Sequence, residues 1–314
     1  RYFGPPRVIK CDQESGLRVA NMGVEFERYS IKRVCAVWQM PRSTVHSQLH
    51  RSSLTDLPAP RKRGPVGAAT DEELVSLIRQ VIDASPFHGE GYRKIWARLR
   101  FQGVRTSKDR ARRLMRENGL QARPGRRRGR RIHDGTITTE NPDQMWGTDM
   151  TQTLTVEEGV ASVFIAIDHC PCEFVGIHAS KTANRFEALE PIRQGVREHF
   201  GAFEKSIAEG LSLRHDHGSQ YVSDDFQNEI AFLGVQSSPS FVREPEGNGC
   251  AERFIRTLKE NLLWVKHFST VEELRIALLE FRDTYNQQWL IQRHDYKTPE
   301  QARNNHSAAT RKAA

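Results

Sequence analysis

Cysteine is sparse and unpatterned in this chain of 314 residues. The five cysteines, Cys11, Cys35, Cys170, Cys172 and Cys250, show no CxxC spacing, so they supply neither a zinc knuckle nor a disulfide framework. Cys170-Pro171-Cys172 is too tight for a two-ligand zinc arm and reads as core or loop cysteine. Long apolar runs are also missing. Nothing approaches the roughly 18 residues of a membrane span, which argues against a membrane partner, and no signal peptide is expected. A reducing, intracellular setting fits this pattern.

What is abundant is charge, and it is unevenly spread. The net charge is +8. Residues 60–131 alone carry +13 (20 basic minus 7 acidic), whereas residues 132–314 carry −9 (18 minus 27). A basic stretch joined to an acidic one suggests one part that holds a polyanion and another that acts on it. A solvated charged surface is the plainer alternative.

Residues 31–50 carry the spacing of a small helix-turn-helix. Ile31, Val34, Cys35 and Trp38 recur at helical period, Met40-Pro41 interrupts, and Ser43-Thr44 opens a second helix through Leu49. DNA binding and simple packing are both compatible with such a hairpin. Residues 57–69 are a basic Pro/Gly-rich linker. Asp71, Glu72 and Glu73 then place negative charge at a helix start, where the macrodipole favours it. That helix carries Leu74, Leu77, Ile78 and Val81 as its apolar stripe and runs to Ser85-Pro86. A second helix is striped by Tyr92, Ile95, Trp96 and Leu99 and ends at Gly103.

Ser107 caps a third helix, from Lys108 to Asn118-Gly119. Its Ala111, Leu114 and Met115 turn inward, leaving Arg110, Arg112, Arg113 and Arg116 mostly outward. A basic helix of this kind suits phosphates and base edges in a major groove. Arg126, Arg127, Arg128, Arg130 and Arg131 come next, among glycines. Such a run cannot bury a core and repels itself, so it reads as an extended arm for phosphates or a minor groove, or else as a linker.

From Trp146 the pattern changes to strands followed by helices. Ser162–Ile167 is an apolar strand, with Phe174–Ile177 expected beside it. Arg185–Phe200 is helical in spacing, with Pro191 expected to kink it. Leu211–Leu213 delivers Asp216 at a strand end; beyond it lie a short helix over Phe226–Leu233 and a short strand over Val235–Ser238. Gly247 and Gly249 open a helix expected from about Ala251 to Trp264, with Ile255, Leu258, Leu262 and Val265 on its buried face. At 100° per residue, Glu252, Arg256 and Lys259 lie within about 60° of one another on a different face. That sets a carboxylate beside cations able to hold phosphate.

The acids themselves are the sharpest signal. Asp149 stands in Trp146-Gly-Thr-Asp149-Met-Thr151, Asp216 in Asp216-His-Gly-Ser-Gln-Tyr221 and Glu252 in Asn248-Gly-Cys-Ala-Glu252, with 35 residues between the last two acids. Together with Lys259, seven residues after Glu252, this resembles the DDE catalytic core of retroviral-type integrases and transposases. His88-Gly-Glu-Gly-Tyr92-Arg-Lys-Ile95 through Arg113–Leu120 resembles the helical domain of bacterial insertion-sequence transposases of the insertion-sequence-three group. Tyr285-Asn286 and Thr298-Pro299 resemble the closing segment of those cores. The similarity spans roughly residues 70–303.

The resemblance implies a multidomain chain: all-α helix-turn-helix modules followed by an α/β RNase H-like core, a mixed sheet flanked by helices. The expected division is 1–56, linker 57–69, helical domain 70–120, arm 121–140, catalytic core 141–303 and tail 304–314. It also implies that Asp149, Asp216 and Glu252 are the catalytic residues and hold two Mg2+ ions, with Mn2+ able to substitute. Double-stranded DNA, both transposon ends and target, would be the substrate, with a homo-oligomer on paired ends and a bacterial, cytoplasmic, nucleoid-associated setting. His217 stands where an amide is more usual and, with Asn248, is a candidate accessory residue, although His217 reads more readily as a tolerated variant. Nothing supplies a His/Cys zinc domain or a long leucine-heptad segment. An RNase H-like nuclease of another role and a catalytically silent, domesticated DNA-binding regulator are the other readings. Neutralising several of Arg126–Arg131 should weaken DNA binding and flatten its salt dependence by about one slope unit for each phosphate no longer held. Binding titrations across a salt series check this, and an unchanged slope would make the arm a linker.

Overall fold

The computed structural model describes residues 29–52, 69–122, 139–240 and 248–313. Arg126, Arg127, Arg128, Arg130 and Arg131, most of the linker at 57–69, and Gly247 lie outside the described residues. The chain divides into a unit over Arg1–Val66 and a second over Gly67–Ala314.

In the first unit, α1 (Ile31–Val37) and α2 (Arg42–Ser52) form the expected hairpin. Val34, Cys35 and Val45 are its buried centre, with Ile31, Trp38 and Met40 packed around them. Gln39 takes a left-handed conformation, φ 52°, to reverse the chain.

The second unit opens with α3 (Asp71–Asp83), α4 (Tyr92–Phe101) and α5 (Lys108–Glu117). A reciprocal cap between Thr70 and Glu73 starts α3. Leu74, Ile78, Val81, Ile95, Leu99, Leu114 and Met115 form the common core, as their spacing predicts. The outward basic face of α5 needs correction. Arg110 Nε and Arg113 Nη2 each donate to the Asp71 carboxylate at 2.8 Å. These two guanidiniums hold the Asp71 carboxyl down to about 2. Asp71 thus clamps α5 to α3, and only Arg112 and Arg116 of the four arginines are fully exposed.

These three helices are packed against the remainder of their unit. Phe87 inserts into an aromatic cluster with Phe281, Tyr285 and Trp289, at ring separations of 6.4, 6.5 and 4.9 Å. Close by, His88 N–H donates to Asn261 Oδ1 at 2.7 Å. Arg98 donates to the Gln288 carbonyl at 3.2 Å while gripping the buried Glu90 at 2.7 and 3.0 Å. A boundary at residue 120 therefore divides segments that share a core.

The core is a five-stranded sheet of β1 (Met145–Thr155), β2 (Gly159–Asp168), β3 (Glu173–Ser180), β4 (Ser212–His215) and β5 (Gln236–Pro239), in the order β3-β2-β1-β4-β5. β1, β2 and β3 are antiparallel, whereas β4 runs parallel to β1 and β5 to β4. This mixed sheet with helices on both faces is the RNase H-like arrangement. β2 explains its own apolar run. Ala161, Val163, Ile165 and Ile167 face α8 (Gly249–Leu258) and α9 (Val271–Gln288), and Phe164 and Ala166 face α6 (Arg185–Phe200) and α7 (Asp224–Phe232). A strand covered on both sides loses polar alternation.

α6 runs as one helix through Pro191, and it approaches β3 so closely that a Cβ on Gly176 would stand 2.0 Å from the Pro191 carbonyl oxygen. Only glycine permits that approach. One helix expectation changes. The helix after Gly249 keeps α geometry only to Leu258 and then widens into a π turn over Lys259–Leu263. Asn261 sits in that turn, donating to the Thr257 carbonyl at 2.9 Å while accepting from His88. The helix ends at Leu263 with Trp264 as its C-cap, so Val265 lies past it and is 48% exposed instead of lying on the buried stripe.

The closing segment pins the sheet. The Asn286 amide both accepts from Phe174 N–H and donates to the Phe174 carbonyl, each at 2.9 Å. From α10 (Pro299–Ala313), Arg303 bonds Asp143 at 2.6 Å, Asp168 at 2.9 Å and also Glu173. Phe87→Ala should destabilise the second unit by about 3–5 kcal/mol, because the ring fills a packed cluster. Denaturant melts check this, and a loss below about 1 kcal/mol would mean the helices only rest on the core.

Candidate active site

The backbone register brings the first two acids together. Parallel pairing sets Met145 opposite Ser212, Trp146 opposite Leu213 and Gly147 opposite Arg214. Carried two residues further, the same offset sets Asp149 level with Asp216, just past the end of β4. Alternation then decides the face. Trp146 and Met150 pack on the α6–α7 side, so Gly147 and Asp149 face the opposite side. That side is covered by α8, whose first turn carries Glu252.

Asp149 is partly buried; Asp216 and Glu252 are exposed. Asp149 Oδ1 accepts from Met150 N–H at 2.8 Å. Burial pushes the Asp149 carboxyl up to about 6, and the negative charges of Asp216 and Glu252 push the same way, against that hydrogen bond and Lys259. Asp149 thus feels the charges of both other acids and of Lys259. Asp216 Oδ1 accepts from Gly218 N–H at 2.9 Å, which folds the loop after β4 back on itself.

Among the described residues, no three His, Cys, Asp or Glu side chains are closed into a ready ligand set for a metal. The chemistry of the donor set nevertheless fits a hard divalent cation. The donors are all carboxylate oxygens, one is held protonated more readily than usual by burial and its acidic neighbours, and two are open to solvent. A cation there would relieve the repulsion that helps raise Asp149.

The other expected site residues fall in different places. Arg256 lies on the exposed face of α8 beside Glu252 but pairs with Glu260 at 2.7 Å. His217 Nε2 bonds the Ser240 carbonyl at 2.7 Å, tying the Asp216 loop to the end of β5. Asn248, buried at 5% exposure, donates through Nδ2 to the Thr148 carbonyl at 3.0 Å. Tyr221, the last residue of the Asp216 motif, is fully buried against the His215 and Phe226 rings. It anchors the Asp216 loop into the α6–α7 core. His169, which no motif singles out, lies buried beside Gly147; burial and the nearby Arg293 and Arg214 push its imidazole down to about 4. Only the fold places it there.

Similarity to known proteins divides along the same lines. Residues 69–128 match the HTH-like domain family and residues 233–299 the integrase core domain family. The transposase InsD of insertion elements IS2D and IS2H from Escherichia coli (strain K12) is 29% identical over 204 residues, covering 62% of this chain and 65% of each relative. The chain therefore matches just under two thirds of the length of these curated relatives. Among solved structures, the HTLV-2 integrase catalytic core domain in complex with magnesium aligns at a TM-score of 0.39 and 17% identity, over 52% of this chain and 97% of that one. A simian T-cell lymphotropic virus intasome in complex with the PP2A regulatory subunit B56 gamma aligns at 0.44 and 17% identity, over 74% of each chain.

The raised Asp149 carboxyl has a consequence for stability. An acid at about 6 when folded and about 3.9 when unfolded binds its proton more tightly in the native state. Below pH 4 both states are protonated and no penalty exists. Between about 4 and 6 the unfolded chain ionises first, so stability falls as pH rises, by up to about 3 kcal/mol before allowance for solvent screening. Asp149→Asn should therefore stabilise the metal-free protein at pH 8, with the gain fading as the pH falls from about 6 to 4. Thermal melts in chelator at both pH values measure it, and an equal or lower melting point at pH 8 would contradict the burial of this charge.

Proposed function

We propose that this homologue of the insertion-element transposases is itself a DNA transposase, which holds element ends through its helical half and cuts and joins DNA at Asp149, Asp216 and Glu252. The observation that carries this reading is the register that sets Asp149 level with Asp216 beneath the first turn of the Glu252 helix. The HTH-like domain at 69–128 and the integrase core domain at 233–299 support it from the opposite direction.

In this reading the three carboxylates hold two Mg2+ ions. Bound metal would supply activation of a water or DNA 3′-hydroxyl and stabilisation of the departing 3′-oxygen. The protein's own groups orient the substrate. The Lys259 charge acts on Asp149 and is suited to a phosphate beside the reacting one. Arg256, on the outer face of the same helix, extends that positive edge. Arg112 and Arg116 are the α5 cations free to reach a duplex, while Arg110 and Arg113 stiffen α5 through Asp71. The arm at Arg126–Arg131 would add phosphate contacts. The hairpin at 31–52 would serve as a further DNA contact. Two ends must meet for joining, so the active species would be a homo-oligomer.

A labelled element-end duplex incubated with Mg2+ tests the proposal. The intact chain should yield joined products, and Asp149→Asn or Glu252→Gln should abolish them while leaving DNA affinity within about threefold, well under 1 kcal/mol. Joining that survives either substitution would overturn the site. Cleavage without joining would favour a nuclease of another role, and tight binding with neither would favour a regulator.

A further inference from the structure

Asn248 is the N-cap residue of α8, a position where an asparagine side chain ordinarily accepts from its own helix. Here it makes no capping bond. Its Nδ2 instead crosses to the Thr148 carbonyl of β1 at 3.0 Å, in a buried contact between residues 100 positions apart. A carbonyl can only accept, so the amide orientation is settled: Nδ2 faces β1 and Oδ1 faces away from it. Oδ1 is buried, and nothing among the described residues donates to it. It points toward Gly147. A Cβ built on Gly147 would stand 3.3 Å from Asn248 Oδ1 and 2.7 Å from His169 Nε2. Both His169 ring nitrogens are likewise buried without partners among the described residues.

The two ends of this contact flank two of the acids. Thr148 immediately precedes Asp149, and Asn248 lies four residues, one helical turn, before Glu252. Resting on the proposed active site, we infer that Asn248 is a positioning residue, a clasp that holds the Glu252-bearing turn of α8 against the Asp149 strand. Gly147 leaves the room for it, and the His169 ring closes the far side. The side chain gives up the stabilisation of its own helix end to span the two elements. A residue present only to start a helix would not do so. The apolar face of α8 holds the helix on the sheet, and the contact opposes the repulsion between Asp149 and Glu252 at its first turn. It also sets how far apart the two carboxylates stand before any cation arrives.

Asn248→Asp separates the clasp from a cap. Aspartate caps a helix as well as asparagine does, but it places a carboxylate oxygen against the Thr148 carbonyl. Three variants, Asn248→Asp, Asn248→Ala and Gly147→Ala, are compared with the wild-type chain by calorimetric titration with Mn2+ alone and by amide hydrogen exchange without metal. Each variant should weaken Mn2+ binding by about 10-fold or more, the usual effect of losing a group that orients a ligand. Each should also speed exchange in residues 249–253 while leaving β2 and α6 unchanged. Asn248→Asp with wild-type Mn2+ affinity and wild-type exchange would overturn the clasp, whatever Asn248→Ala does. A wild-type chain that binds Mn2+ yet joins no DNA would sink the transposase reading and leave the clasp to be judged on these two measurements. A wild-type chain that binds no Mn2+ would sink the metal site, and exchange alone would then decide the clasp.

Discussion

Like charges repel, and the second unit of this protein is built around holding three of them near one another. Asp149 carries the burden, partly buried and raised to about 6 with Asp216 and Glu252 acting on it. Local bonds from Met150 N–H and Gly218 N–H orient Asp149 and Asp216 but do not bring the acids together. They are held because β1 is paired on both sides, antiparallel to β2 through ten residue pairs and parallel to β4. β2 in turn is buried on both faces between two apolar clusters. Burial of those side chains at about 25 cal/mol per Å2 stabilises the sheet far more than carboxylate repulsion at this dielectric can destabilise it.

The same constraint explains features with no chemistry of their own. Tyr221 drives the Asp216 loop into the core, and the bond from His217 to Ser240 tethers its other side. Arg303 gathers Asp143, Asp168 and Glu173 at the ends of three segments. Removing that arginine would leave Asp168, which is fully buried, without its cation. The helical region at 69–122 leans on this framework through Phe87 and through His88, which bonds the π turn of the Glu252 helix. In the transposase reading, a segment that grips DNA is thus packed directly on the helix that carries a candidate catalytic acid.

Much of the site is legible in the residues. The 35-residue interval between Asp216 and Glu252, the Asn248-x-x-x-Glu252 spacing and Lys259 seven residues further on single out the acids without coordinates. The apolar stripes of α3, α4 and α5 identify their buried faces, because helical period reports burial directly. β1 is harder. Its Thr-Asp-Met-Thr-Gln-Thr run has too little apolar contrast to mark a strand, and its pairing comes from neighbours distant in sequence. The long helix α9 escapes a linear reading for a related reason: its buried positions are completed by Phe87 and Phe174 from elsewhere in the chain.

The sequence by itself separated a basic region from an acidic one and, through its resemblance to DDE cores, pointed to the class of fold and to the three acids. Charge and motif spacing belong to the linear chain, so a linear reading preserves them. Tertiary structure decided which charges are free and which are bound. Arg110 and Arg113 are bound to Asp71, Arg256 is paired with Glu260, and Asn248 crosses to Thr148 instead of capping its helix. It also placed a π turn at Lys259, where helical phase alone predicts none. The physical reason is the same in each case: a polar side chain has several partners within reach of its own length, and only the packed fold settles which of them is there.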